Sequence, residues 1–203
     1  MYFKSCGTRQ PKLKKELKRL REEYVSTRIL EDEDKIITEL RRLNSSSTKL
    51  SICCKYGGMQ MGYKYLFDDY LNIVGKHQKG EGEGMRWAIN IDKENLDLVK
   101  IFLKAGIRIR HIKNMPPMNF GVSDKEMAAT IEKMEGGRIS QTFLISNEPL
   151  YIDHFNSLFE EIWKNGIDAK VRIKAIESPK SLPKAWHILI TKTENICPMN
   201  TML

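Results

Sequence analysis

One stretch of this 203-residue chain carries residue types that could act on a phosphate, namely Arg108, Arg110, His111 and Lys113 in the run Gly106-Ile-Arg-Ile-Arg-His-Ile-Lys113. A histidine can attack phosphorus or serve as a general acid, and an ammonium two residues away can neutralise the phosphate oxygens. The alternation of apolar and polar residues reads as a half-buried strand, so Arg108, Arg110 and Ile112 share one face and His111 and Lys113 the other. Turnover of a phosphodiester needs a further proton-transfer group on the far side of phosphorus. No pattern around this strand supplies one, so the cluster reads as a basic rim that holds an anion, with no catalytic residue assigned. Asn147 and Glu148, at the end of a later strand, are the other pocket candidates. The candidate ligand- or anion-binding set is therefore Arg110, His111, Lys113, Asn147 and Glu148.

Other chemistry is poorly served. His154 lies beside an aromatic stripe without the His-Glu or His-Asp dipeptide of a phosphoacceptor, and His77 and His187 are isolated. No Ser-His-Asp order and no nucleophile elbow is visible. Cys6, Cys53, Cys54 and Cys197 form no CxxC pair, so they read as free thiols and no metal is expected. The run Lys79-Gly-Glu-Gly-Glu-Gly84 is glycine-rich but lacks the Gly-Lys-Ser/Thr of a phosphate loop. No cofactor is expected.

The elements that position these residues are well punctuated. Leu50–Lys55 reads as a short apolar strand, Tyr63–Val74 as an aromatic-rich helix, and Met85–Ile91 as the next strand. Asp92 is placed to cap a helix over Lys93–Lys104, which Gly106 ends. Two strands joined by one helix through such short loops predict a right-handed parallel βαβ unit. Asn114-Met-Pro-Pro117 breaks the strand that follows, and Met118–Val122 resumes it. Ser123-Asp-Lys-Glu126 has the form of a capping box and predicts a helix with Met127, Ile131 and Met134 on one face, stopped by Gly136-Gly137. Arg138–Ser146 is a strand. Pro149 then opens a helix with Tyr151, Phe155, Leu158, Phe159, Ile162 and Trp163 on one broad stripe, closed by Asn165-Gly166. The fold class expected is α/β, a mixed, mainly parallel sheet of five or six strands flanked by helices.

Charge divides the chain. Of the net +8, a surplus of six sits in residues 1–30, which hold nine Lys or Arg against three Glu. Lys12–Arg28 reads as a basic helix and Glu31–Leu43 as a second helix. The organisation expected is a basic N-terminal helical arm over 1–30, a domain over 31–177 and a linker or tail over 178–203, where Trp186–Thr191 could add a strand. Basicity belongs to the arm, so nucleic acid would be contacted only through it. Two helices without a third make no helix-turn-helix. No apolar run reaches the roughly 20 residues of a membrane span, and a cytoplasmic location is expected.

The wording of Arg110-His-Ile-Lys113, Pro116-Pro-Met-Asn-Phe120, Val122-Ser-Asp-Lys-Glu126, Lys133-Met-Glu-Gly-Gly137 and Ser146-Asn-Glu-Pro149 resembles one family. It is the phospholipase-D-like sensory module of archaeal signal-transduction histidine kinases. A distant cousin is the effector domain of TrmB-type transcription regulators. The resemblance covers roughly residues 30–177. It implies a single phospholipase-D-like lobe and a regulatory role, relayed through terminal helices to a signalling partner or a transmitter kinase domain. Active members pair two copies of His-x-Lys, each with an Asp five residues beyond the Lys. Here the position five beyond Lys113 is Met118, so the paired site is incomplete, although a homodimer would double what is present. Kinase ATP-binding motifs are missing from the sequence. Three functions follow: a non-catalytic sensory module, the effector domain of a transcription regulator with a DNA-contacting arm, and a degenerate phosphodiesterase.

Overall fold

The structure, a computed structural model, describes residues 24–135 and 138–178. In chain order the elements are β1 (Thr27–Leu30), α1 (Glu33–Ser46), β2 (Lys49–Cys53), α2 (Tyr56–Gln78), β3 (Gly84–Ile89), α3 (Leu96–Lys104) and β4 (Arg108–His111). They continue with β5 (Phe120–Ser123), β6 (Met127–Glu135), β7 (Arg138–Ser146), α4 (Pro149–Lys164), β8 (Ile167–Asp168) and α5 (Ala169–Glu177). The strands form one open mixed sheet in the order β1-β7-β6-β5-β2-β3-β4-β8, flanked by helices.

Parallel pairing is confined to β2–β3 and β3–β4, and β3–α3–β4 is the expected βαβ unit. All six residues of β3 are buried, as befits a strand covered on both faces. Its Trp87 meets Phe102 of α3 edge-on at 5.0 Å and Tyr70 of α2 at 5.6 Å, and its Nε1 donates to Cys54 Sγ. Cys53 and Cys54 sit on opposite faces, each in a different apolar cluster. The first cluster packs the sheet against α1, α2, α3 and α5. The second packs Cys53, Ala88, Val122, Met127 and Ala129 under Phe159 of α4.

The other five pairings are antiparallel, where a mainly parallel sheet of five or six strands was expected. The cause is residues 127–135. The Ser123 hydroxyl does accept the Glu126 amide, at 3.0 Å, and the Lys125 amide as well. Yet the Ser123 amide also donates to the Glu126 carbonyl at 2.8 Å, which closes a tight turn between β5 and β6 and starts no helix. Met127 and Ala129 face the second cluster and Ala128 the first, so the apolar run is a strand buried on both faces. The register pairs Glu135 with Arg138, and Gly136 and Gly137 between them lie outside the described residues.

Smaller differences have equally local causes. Thr27–Leu30 is an edge strand on β7, so the basic helix expected over Lys12–Arg28 does not include its last residues, and the sheet begins before residue 31. The rest of that helix, residues 12–23, and the strand expected over Trp186–Thr191 lie outside the described residues. Helix α2 starts at Tyr56, seven residues earlier than expected, and runs through Gly57, Gly58 and Gly62. At Gly62 a Cβ would stand 2.9 Å from the Tyr70 hydroxyl, so that glycine buys close packing on the core. Asp92 Oδ1 accepts from Glu94 and Asn95, forming a turn, and α3 begins only at Leu96.

Candidate functional site

Strand β4 delivers its cluster to two faces, as the alternation predicts. On the α4 face, Arg110 donates to the Trp163 carbonyl at 2.6 Å and lies over the Trp163 ring at 5.0 Å. The chain can come this close because Gly166 follows α4: a Cβ there would stand 2.9 Å from Arg110 Cβ. Beside it, in register with Arg108, stands Arg86 of β3. Arg86 makes a forked pair with Glu160, at 3.1 and 2.5 Å, donates to Ser51 Oγ and lies 4.9 Å from the Phe159 ring centre. The Arg86 hydrogen bonds hold the Glu160 carboxyl below its ordinary pKa. Arg108 donates to the Glu83 carbonyl.

On the opposite face His111 is buried, only 6 % exposed. Its Nδ1 accepts the Ile91 amide at 2.9 Å, which leaves the ring proton on Nε2. Burial pushes its pKa down, and Arg172 pushes the same way against the opposing pull of Asp92. A neutral ring with Nδ1 engaged is a structural acceptor. Lys113, just beyond the strand, is exposed. The sequence also holds a second His-x-Lys triplet, His77-Gln-Lys79, that the strand-based reading passed over. It closes α2, where His77 Nδ1 bonds the Gly82 carbonyl at 2.7 Å, and the position five beyond Lys79 is Gly84. Neither triplet has the Asp that the paired arrangement requires.

Asn147 and Glu148 stand elsewhere. Strands β7 and β4 are five strand spacings apart, on the order of 24 Å. Asn147 tethers the chain ahead of β1: its Oδ1 accepts the Ser26 amide at 2.6 Å and its Nδ2 donates to the Tyr24 carbonyl at 2.9 Å. Ser146 Oγ accepts the Glu148 amide and bonds the Thr27 hydroxyl, while Glu148 is the N-cap of α4 without a side-chain cap. The five candidates do not converge on one pocket.

A cavity of about 680 Å³ lies instead between α1, α2 and the sheet. Ile36, Leu40 and Leu43 of α1, Met61 and Tyr70 of α2, and Trp87, Ala128 and Phe143 of the sheet make its walls. Glu31, Glu33 and Lys55, all exposed, stand around its rim. Asn44, 3 % exposed, lines it, and its Nδ2 is buried without a hydrogen-bond partner. Asn119 and Thr130 also line it but are engaged: Asn119 Oδ1 accepts the Lys55 amide, and the Thr130 hydroxyl donates to the Asn119 carbonyl. An arginine ladder braces α1 over this space. Arg42 grips both Glu126 oxygens at 2.8 and 2.6 Å and, with Arg28, also holds Glu39. Burial alone would raise the Glu39 pKa, but the hydrogen bonds from Arg42 and Arg28 outweigh it and leave it lowered. Sequence reading missed Asn44 because Asn44-Ser-Ser-Ser47 looks like a helix break. The helix runs on to Ser46, and the Ser45, Ser46 and Ser47 hydroxyls cap its last carbonyls.

No family model matches the chain, and no curated protein matches it. Solved structures share its fold, among them the following two. TrmBL2, described as an archaeal chromatin protein with a novel mode of DNA binding, superposes with a TM-score of 0.54 at 14% identity. That match covers 79% of this chain and 62% of TrmBL2, so the chain spans less than two thirds of that protein's length. Nuc, a phospholipase D family member from Salmonella typhimurium, superposes with a TM-score of 0.50 at 11% identity, over 71% of this chain and 98% of Nuc. The fold is that of a phospholipase-D-like lobe. Among the described residues no helix is long and apolar enough to cross a membrane.

Proposed function

We propose that the chain is a non-catalytic regulatory lobe, an effector domain of the TrmB type, that binds a small ligand and acts on nucleic acid through its basic first thirty residues. The observation that carries this is His111: the histidine best placed for phosphate chemistry is buried, neutral and spent on the Ile91 amide. A phospholipase-D-like lobe without a usable histidine keeps its architecture and loses its reaction. A roomy cavity on the other side of the core supports a sensing role. The shared fold with TrmBL2 and the surplus of six positive charges in residues 1–30 favour DNA over a transmitter kinase as the output.

Fluorescence anisotropy of a labelled DNA duplex, read across a salt series, tests this reading with the full chain. Binding should weaken steeply with salt, and Lys14, Lys15, Lys18 and Arg19 changed together to Gln should flatten the log–log slope by about 3–4. No turnover of bis(p-nitrophenyl) phosphate is expected. Turnover that disappears in His111→Ala would overturn the non-catalytic assignment. DNA binding that is absent, or indifferent to the four substitutions, would remove the DNA output and return a signalling protein partner to first place.

A further inference from the structure

The cavity between α1, α2 and the sheet carries one unmet chemical demand. Among the described residues, the buried side-chain polar atoms without a partner are Nδ2 of Asn44, a residue that lines this cavity, and Asn156 Oδ1, on α4 against the opposite face. A buried amide hydrogen left unbonded destabilises the fold, and the chain would shed the demand by placing an aliphatic residue at position 44. It keeps a donor instead, in a space whose volume lies within the roughly 300–1,000 Å³ of small-molecule sites.

The ligand's chemistry follows from what the walls offer and what they lack. They are aliphatic and aromatic, so the body of the ligand is apolar. The unmatched group is a donor, so the ligand brings an acceptor. A carboxylate would bring a charge into a space whose lining cation, Lys55, stands at the rim beside Glu31 and Glu33. We infer that the cavity binds an uncharged, largely apolar molecule bearing an oxygen acceptor, such as a ketone, with Asn44 Nδ2 donating to that oxygen. This rests on the ligand-sensing reading above and supplies its ligand class.

The probe is prodan, an uncharged naphthyl ketone whose emission brightens and shifts blue in an apolar site, added to the full chain. Prodan should bind, and 2-nonanone should displace it. Nonanoate, with a similar tail and a charge, should displace it at least tenfold more weakly. Asn44→Leu should fold with a raised Tm, because the unbonded donor is gone, and bind prodan about tenfold more weakly, the worth of one hydrogen bond. A second variant guards against misfolding. Gly121, on β5, lines the cavity, and a Cβ there meets Ile52 Cγ1 at an ordinary 3.6 Å, so Gly121→Ile should fold and exclude the probe. Prodan that fails to bind, that binds Asn44→Leu as tightly as the parent, or that yields equally to nonanoate would overturn the assignment. The DNA assay repeated with 2-nonanone separates the two ideas. Ketone binding that leaves DNA affinity unchanged keeps this site and sinks the effector reading. DNA binding by a chain that ignores prodan does the reverse.

Discussion

On the α4 side of the sheet, Arg86 enters an apolar layer and is met from several directions, by both oxygens of Glu160, by Ser51 Oγ and by the faces of Phe159 and Trp163. On the α1–α2 side, Asn44 enters a comparable layer and its amide nitrogen is met by nothing. Both positions bury polarity, at 9 % and 3 % exposure, yet one face is closed around its polar group and the other stands open over a cavity. The contrast teaches where to look for binding. A charge whose partners are all built in is architecture, however functional its residue types look, whereas a donor left waiting beside free volume is an invitation to a ligand. Arg110 and His111 belong with the first kind.

If this division holds, substitutions on the closed face should lower stability and those in the open one should not. The largest effect is expected from Phe159→Ala, which removes a fully buried ring from beneath Arg86 and should cost about 3–5 kcal/mol in denaturant unfolding. Trp163, only partly buried, should cost less when truncated, which reverses the emphasis its size invites.

Glu160→Ala leaves Arg86 without its carboxylate and should cost roughly 1–2 kcal/mol, below the figure for a fully buried pair because Glu160 is half exposed. The pH dependence fixes the sign. Glu160 titrates below its ordinary value in the folded chain, so the stabilisation is present above the usual carboxylate range and is lost as pH falls through the lowered pKa. An acid limb of the Tm curve that Glu160→Ala leaves untouched would break the comparison.

Asn44→Leu should move the other way, raising stability by about 1 kcal/mol in the free protein. The smallest effect concerns His111, whose pKa is lowered by burial. As pH falls, the unfolded chain takes up the imidazole proton first, so the fold weakens as pH drops through the ordinary histidine range, and His111→Gln should shrink that drop in Tm. An undiminished drop would mean that another group governs the interval.

Legibility in the sequence followed how far each contact reaches. The βαβ unit, β7 and the stripe of α4 are written in local periodicity and were readable to within a few residues, although Tyr151 at the head of that stripe is exposed. Ser123 and Glu126 were read as partners, and they are, but the same hydrogen bond serves a helix start and a hairpin turn. The deciding fact, that Met127–Ala129 pair with both β5 and β7, is not local. The face alternation of Arg110 and His111 was legible. That Arg110 is spent on Trp163 and His111 on Ile91 was not, since both partners arrive from other elements. Asn147 was legible as the residue ending a strand, and its bonds to Ser26 and Tyr24 were not, since they reach across the chain. Asn44 left no trace, because its significance lies in a partner that is absent.

Strand β1 has a consequence for how the chain assembles and comes apart. Its anchoring bond, from the Ser26 amide to Asn147, spans 121 residues, and the Thr27–Ser146 hydroxyl pair spans 119. Contacts that close so long a loop form late, after the hairpin β6–β7 has folded on itself to present its edge. A four-residue strand at the rim is held besides by its ladder to one neighbour, β7, and by the Arg28–Glu39 pair. Amide hydrogens of Thr27–Leu30 should therefore exchange with solvent faster than those of the enclosed β3, through openings that leave the rest of the sheet intact. Each such opening uncovers the backbone of β7, so the last strand to dock is also the one that decides whether the sheet ends there or accepts another.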